Sequence, residues 1–215
     1  LTPRLMLSLP EEKVLRKIIT AGQMAANLGA KVVGLGAFTS VVGDAGITVR
    51  KNLDIAVTTG NSYTVGTALE ATEKAASLME IDMDEANVLV LGATGSIGKV
   101  LSLIMADNGR HLTLCARDAR RLGQVADSIT ERTGRVTRDL PEAVGRADVV
   151  VCVSSAVETV INANDLKPGA LVCDVSRPRN VSAEVKRLRD DVLIIEGGVV
   201  KVPGDASFNF DFGFP

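Results

Sequence analysis

The sequence is poor in aromatic side chains: 3% of its 215 residues, with five Phe, one Tyr and no Trp. That leaves no platform for stacking nucleobases. With 24 Lys+Arg against 26 Asp+Glu, there is also no positive excess to follow a phosphate backbone. A nucleic-acid partner is therefore not expected. Histidine occurs once, as His111, and the three cysteines, Cys115, Cys152 and Cys173, show no paired spacing. Neither a zinc site nor a disulfide framework is expected, and the cysteine usage suits a reducing, cytoplasmic compartment. The longest apolar runs, such as Val149–Val153, fall far short of a membrane span. No charged start followed by an apolar stretch marks a secretory signal. What remains, 46% hydrophobic and 23% charged residues with 20 glycines, is the composition of a globular chain. Its length suits one large domain or two modest ones.

Helical and strand patterns alternate along the chain. Glu11–Leu28 places Val14, Leu15, Ile18, Ile19, Met24 and Leu28 at helical spacing, and Gly29 follows as a stop. Lys31–Leu35 and Asp54–Thr58 read as strands, and Ser62–Met79 as a long helix with Ser62 a candidate N-cap. From Asn87 the pattern becomes regular: strand 87–91, helix 96–107, strand 111–116, helix 118–132, then strands near 148–153, 170–174 and 192–196. Short apolar strands separated by helices predict a parallel sheet covered on both faces. The polar stretch Glu80–Glu85 is the expected domain boundary. It divides an N-terminal α/β part, 1–82, from a second α/β domain, 83–200.

The strongest chemical signal lies where the second domain begins. Val88-Leu89-Val90-Leu91 runs into Gly92-Ala93-Thr94-Gly95-Ser96-Ile97-Gly98, a strand followed by G-x-x-G-x-x-G and a helix. In this variant of the dinucleotide fingerprint Gly92 permits the tight turn, Gly95 lets the backbone approach a pyrophosphate, and Gly98 allows close helix packing. The helix N-terminus offers N–H groups and a positive dipole end to phosphates. A purely structural glycine turn is the alternative. The implied fold is a doubly wound, Rossmann-type parallel sheet preceded by a smaller α/β substrate domain. At the end of the next strand an NAD enzyme carries Asp or Glu for the ribose 2′-hydroxyl. Here Arg117 holds that place, and Arg120 and Arg121 follow. Guanidinium groups suit a 2′-phosphate, which favours NADP(H) over NAD, and an ordinary solvated basic helix start is the alternative. Asp118 reads as a helix N-cap.

Later strand ends supply further candidates. Ser154 and Ser155 follow one strand and either border the nicotinamide ribose or ring or form a plain strand-end turn. Gly197 follows another strand with the same two readings, leaving backbone room in the first. Asp174-Val175-Ser176-Arg177-Pro178-Arg179 is either a solvated turn or a substrate-facing loop. Cys115 and Cys152 read as core residues and Cys173 as a weak nucleophile candidate. In the N-terminal part Thr39, Ser40, Lys51, Thr58, Thr59, Asn61, Ser62, Tyr63 and Thr64 cluster around glycines at strand ends. Lys51 and Asn61 are the catalytic candidates there, Lys51 as proton donor or electrostatic clamp. A solvated surface lysine is the alternative. The glycine spacing is also similar to that of extended short-chain dehydrogenases. Their Tyr-x-x-x-Lys pair is missing, since Tyr63 lies upstream and Thr67 holds the lysine position.

Gly34-Leu35-Gly36-Ala37-Phe38-Thr39-Ser40, Thr58-Thr59-Gly60-Asn61-Ser62-Tyr63-Thr64 and the 92–98 turn resemble the long-chain acyl-acyl carrier protein reductases. So do Ala116-Arg117-Asp118-Ala119-Arg120-Arg121-Leu122 and Glu196-Gly197-Gly198-Val199-Val200, so that the resemblance runs from about residue 10 to 203. It implies reduction of an acyl thioester, carried on acyl carrier protein or CoA, to an aldehyde with NADPH. It also implies a cysteine nucleophile downstream of the segment matching Glu196–Val200. None of Cys115, Cys152 and Cys173 sits in that motif, so the nucleophile is expected beyond Pro215 or the chemistry differs. Phe208, Phe210, Phe212 and Phe214 alternate near the end. Such a stripe either folds back on the core or meets a further C-terminal segment beginning at 201–215. Looser similarity links the chain to shikimate dehydrogenases. Ile47-Thr48-Val49-Arg50-Lys51 resembles their Thr/Lys substrate loop, with the Lys one residue early and the usual Pro missing. The expected activity is that of an NADP(H)-dependent oxidoreductase, acyl thioester reductase-like. Alternatives are a shikimate-type alcohol/ketone dehydrogenase and a non-catalytic NADP-binding module. A small-molecule or carrier-linked acyl substrate is the expected partner, and a homo-oligomer is compatible with the sequence.

Overall fold

The computed structural model describes residues 2–40, 42–129, 135–154, 156, 159–197 and 204. By compactness the chain divides into Leu1–Val65 and Gly66–Pro215. In the first unit α1 (Pro3–Ser8) starts on Thr2, whose Oγ1 accepts the Leu5 N–H at 3.3 Å. Next come α2 (Glu11–Asn27), β1 (Val32–Gly34), a 3-10 turn at Ala37–Ser40, α3 (Ile47–Lys51) and β2 (Ala56–Thr58). β1 and β2 pair in parallel, from Val32↔Ala56 to Gly34↔Thr58. The apolar stripe of α2 buries Val14 and Ile18 in a small core with Leu35, Val49 and Leu53. Gly22 permits this packing, because a Cβ there would come within 2.5 Å of Leu53 Cδ1.

The long helix α4 (Asn61–Leu78) contains the division at 65/66. The expected boundary at 80–85 followed the start of the regular strand pattern, whereas the larger part of α4 belongs with the second compact unit. The helix also starts two residues earlier than it would with Ser62 as N-cap, since Asn61 is its first residue. The Gly60 carbonyl accepts the Thr64 N–H at 3.0 Å, which places Ser62 inside the first turn.

The second unit is built on β3 (Asn87–Leu91), β4 (His111–Cys115), β5 (Arg135–Thr137), β6 (Val149–Cys152), β7 (Leu171–Asp174) and β8 (Leu193–Ile195). They form one six-stranded sheet in the order β5-β4-β3-β6-β7-β8, with every neighbouring pair parallel. The chain winds outward from β3 to β5, returns to the other side of β3, and winds outward again to β8. This is the doubly wound, Rossmann-like arrangement, with its strand order reversing between β3 and β6. β6 and β7 are buried at every residue, which is why they read as unbroken apolar runs. Leu89, Leu91, Val150, Cys152 and Val172 pack with Ala143, Val144 and Ala147 of α7 (Leu140–Arg146) and its C-cap. Val88 and Val90 alternate to the opposite face. α5 (Ser96–Asp107) contacts β3 and β4 and buries Leu101 and Met105.

α6 (Ala119–Asp127) begins as expected at an Asp118 cap, whose Oδ1 accepts the Arg121 N–H at 3.0 Å. It ends earlier than 132, because the N–H groups of Ser128 and Ile129 turn to the i−3 carbonyls of Val125 and Ala126. The sequence pattern did not anticipate β5, α7 or the one-turn α8 (Val185–Leu188). β5 is a three-residue edge strand whose Arg135 and Val136 are exposed, so it carries no apolar signature. Among the described residues no helix is long and apolar enough to cross a membrane.

At the N-terminal edge of the sheet, Asp148 ties β3 to β6. Its Oδ2 accepts the backbone N–H of Asn87 at 2.9 Å and the Asn87 side-chain amide at 3.1 Å, and its Oδ1 pairs with Lys167. Partial burial pushes this carboxyl up, but the Lys167 ammonium and the Asn87 donors outweigh it and hold its pKa below the ordinary value. A depressed pKa contributes stability that is full above the unfolded carboxylate range, about pH 4 to 5, and is lost as pH falls through the folded value. Asp148→Asn is therefore expected to cost about 1 kcal/mol near neutrality, less than a fully buried charged hydrogen bond because Lys167 faces solvent. It should also flatten the acid limb of a stability–pH curve. Denaturant midpoints between pH 2 and 7 test both; an acid limb identical to that of the parent would refute the linkage.

Candidate functional site

The site grows from the end of β3. The N–H groups of Gly92 and Ala93 both donate to the Cys115 carbonyl, at 2.8 and 3.3 Å, which fastens the turn to the end of β4. Gly92 has φ +93, and a Cβ there would fall 2.7 Å from Ser154 Cα and 2.9 Å from the Val153 carbonyl carbon. Only glycine meets both requirements. The turn thus lies against the segment leaving β6, at the point where the strand order reverses. The Gly95 N–H closes the turn onto the Gly92 carbonyl at 3.0 Å. α5 starts at Ser96 with Gly95 as its N-cap and no capping side chain. Gly98 packs the helix on the turn: a Cβ there would sit 2.3 Å from the Gly92 carbonyl oxygen. Gly95 differs, since a Cβ would meet the Gly92 carbonyl oxygen at 3.3 Å and otherwise nothing nearer than 3.9 Å. Gly92 and Gly98 shape the turn, while Gly95 leaves its outer side open. Around them Ala93 is buried, Thr94 and Ile97 are half-buried and Ser96 is exposed.

Of the basic residues after β4, Arg121 reaches the same turn. The Arg121 guanidinium donates to the Thr94 carbonyl at 3.0 Å. Arg117, just past the strand, and Arg120, in the first turn of α6, are exposed. Neither makes an ion pair among the described residues, whereas Arg177 and Arg179 both pair with Glu196 beyond β8.

Across the reversal point, Ser154 is half-buried and its hydroxyl is committed inward. It donates to Asn180 Oδ1 at 2.6 Å and accepts the Ala156 N–H at 3.1 Å. Ser154 therefore offers this edge its backbone rather than its hydroxyl proton. Ser155 lies outside the described residues, as do Gly198–Val200 and the Phe208–Phe214 stripe. Gly197 is buried, and a Cβ there would come within 2.6 Å of Cys173 Sγ and 2.7 Å of Val175 Cγ2. Its missing side chain makes room for those two residues.

The sequence pattern marks the 174–179 loop but not the buried polar cluster that holds it. Asp174, 1% exposed, accepts the Ser176 N–H on Oδ1 at 3.0 Å, and those of Asn180 and Val181 on Oδ2 at 2.8 and 3.1 Å. Ser176 Oγ donates to Asn180 Oδ1 at 2.9 Å. Asp174, Ser176 and Asn180 within seven positions at the end of an apolar strand were the available signal. Asp174 holds the 176–181 loop as a folded unit, and that loop carries Arg177 and Arg179.

All three cysteines are buried, including Cys173. Burial is the main force pushing their thiols up. Asp139 adds to it at Cys115, Asp174 adds at Cys152 and Cys173, and a Thr72 hydrogen bond partly offsets it at Cys173. A raised pKa and an enclosed sulfur are the opposite of a reactive thiolate's setting. In the first unit Lys51 is the exposed last residue of α3, and Asn61 the half-buried first residue of α4.

With that geometry in place, residues 73–195, more than half of the sequence, match the shikimate / quinate 5-dehydrogenase family. The chain belongs to this family. The match falls wholly within the second compact unit. Over 87% of its length the chain is 30% identical to the aminotransferase PigE of Serratia sp., of which it spans 22%. Over 86% of its length it is 30% identical to the long-chain acyl-[acyl-carrier-protein] reductase of Synechococcus elongatus, of which it spans 56%. It thus spans less than two thirds of either relative. The expected likeness to acyl-carrier-protein reductases is present, but it is not exclusive, since an aminotransferase reaches the same identity. A dipicolinate synthase polypeptide from Bacillus halodurans superposes with a TM-score of 0.54 at 18% identity, covering 80% of this chain and 58% of that one, and shares the fold. The family and its fold are those of nucleotide-binding oxidoreductases.

The three glycines of the turn are expected to separate in stability measurements. Gly92→Ala and Gly98→Ala should each cost about 1–3 kcal/mol, the first through a positive φ and a backbone clash, the second through overpacking. Gly95→Ala should cost distinctly less. Denaturant midpoints check the order, and equal losses at all three positions would contradict it.

Proposed function

We propose that the chain is the NADP(H)-binding part of a reductase acting on an acyl carbonyl compound, carrier-linked or small. One observation carries the cofactor reading. The Arg121–Thr94 hydrogen bond joins the basic start of α6 to the glycine turn, at the edge where a ribose 2′ substituent is recognised. The residues fit such a dinucleotide. The open side of Gly95 and the first turn of α5, Ala93 to Gly98, would hold the pyrophosphate. Arg117 and Arg120 would take the 2′-phosphate while Arg121 braces the turn. The backbone at Ser154 and the strand end at Gly197 border the remaining half. When bound, the cofactor supplies hydride to a carbonyl carbon.

For the substrate, similarity to the Synechococcus elongatus reductase supports an acyl thioester on a carrier protein or CoA. Lys51 and Asn61 are the candidates by which the first unit would act on it. Covalent capture of an acyl group needs an accessible thiolate. Cys115, Cys152 and Cys173 are too enclosed for that role, so it falls to a thiol outside residues 1–215. The second reading is a shikimate-type alcohol/ketone dehydrogenase, which the family match favours. That match covers the cofactor-side unit and leaves the substrate-side residues outside it.

Titration of the chain with NADPH and with NADH tests the cofactor reading. NADPH is expected to bind more tightly, and Arg117→Ala to weaken NADPH by about 1.5–3 kcal/mol while scarcely touching NADH. Gly95→Val should abolish binding while the fold persists. Equal curves for the two cofactors in the parent protein would refute the preference. The 215 residues alone are expected to form no aldehyde from an acyl thioester, since the thiol lies outside them. Aldehyde from a longer polypeptide that supplies it would favour the first activity, and oxidation of a hydroxy acid by the chain itself the second.

A further inference from the structure

Asn180 is 0% exposed, yet its side chain joins its own loop after β7 to the segment after β6. Its Oδ1 accepts the hydroxyl protons of Ser154 at 2.6 Å and Ser176 at 2.9 Å, and its Nδ2 donates to the Ala156 carbonyl at 3.4 Å. Its own N–H is anchored on Asp174 Oδ2 at 2.8 Å. Both lone pairs of the amide oxygen are thus used, and the carboxylate behind it fixes where that oxygen points. An amide buried to this degree is costly unless satisfied, and once satisfied it rigidifies what it touches.

What it touches is the segment after β6. Ser154 Cα is the atom that a Cβ on Gly92 would strike at 2.7 Å, so this segment forms one wall of the glycine turn. In a parallel sheet of this strand order a dinucleotide crosses the reversal point. The adenosine side is marked by Arg117 after β4. The other half is left with the ends of β6 and β7, where Ser154, Ala156 and the 176–180 loop lie.

We propose that Asn180 is a positioning residue for the nicotinamide half of the cofactor. It draws the Ser154 hydroxyl and the Ala156 carbonyl inward, so the backbone after β6 stays pressed against Gly92 and presents a fixed surface to that half. The adenosine half, held after β4, does not depend on it. This inference rests on the reading of the glycine turn as a dinucleotide site.

The test compares NADPH with 2′,5′-ADP, which carries the adenosine and 2′-phosphate features alone, by calorimetric titration of the parent chain, Asn180→Ala and Ser154→Ala. Ser154→Ala keeps the buried amide and deletes one hydroxyl, so it supplies the readout should Asn180→Ala not fold. Each folded variant is expected to weaken NADPH about tenfold, the loss of one well-made hydrogen bond. Affinity for 2′,5′-ADP should stay near the parent's, and the nicotinamide fluorescence gain on binding should shrink. Parallel weakening of both ligands, as a purely structural role would give, overturns the inference, and so does unchanged NADPH binding in both variants. A parent chain that binds neither ligand overturns the dinucleotide reading itself and this inference with it.

Discussion

At the end of β3 the α-carbon of Gly92 lies against the backbone leaving β6, with no space for even a methyl group between them. Several features depend on that contact. It brings the two halves of the doubly wound sheet together at their C-terminal edge, where the strand order reverses. It orients the turn so that α5 starts with its N-terminus open, because Gly98 lets the helix sit directly on the turn. On its other side the turn is fastened separately, since the Cys115 carbonyl at the end of β4 collects two of its N–H groups. The turn thus aligns a helix dipole and a row of backbone donors where the strand order reverses.

The polar interior has a comparable logic. Among the described residues Asp174 is buried without a cationic partner, and three backbone N–H groups supply its hydrogen bonds. A carboxylate met by oriented amides is a stable interior anion and a rigid anchor for a loop. The loop it anchors exposes Arg177 and Arg179, which converge on Glu196 from the neighbouring strand end. The same carboxylate raises the thiol pKa of Cys152 and Cys173, adding to burial.

Much of this was legible in the sequence because it depends on spacing. β3, α5 and the Asp118 cap fall where periodicity and glycine placement put them, since a buried parallel strand must be apolar throughout and a helix must be capped. β5 was not legible, being a short edge strand whose exposed Arg135 and Val136 leave no pattern. The Ser154–Asn180–Ser176 network was hidden for another reason. Its residues lie up to 26 positions apart, and only the parallel pairing of β6 with β7 brings them together. Serine and asparagine after a strand look alike whether they face solvent or a buried partner. The inward commitment of the Ser154 hydroxyl therefore emerged only from the fold.

The proposed reading is that Arg117, Arg120 and the 92–98 turn receive a nucleotide bearing a 2′-phosphate. Phosphorus NMR of NADP+ bound to this chain tests it most directly. A free phosphate monoester titrates near pH 6, and guanidinium contact should hold the bound one dianionic well below that. The account predicts a bound 2′-phosphate resonance that stays at its dianion position as the pH falls to about 5.5, and that regains an ordinary titration in Arg117→Ala. A bound resonance that titrates in the parent protein with the midpoint of the free nucleotide would contradict the claim.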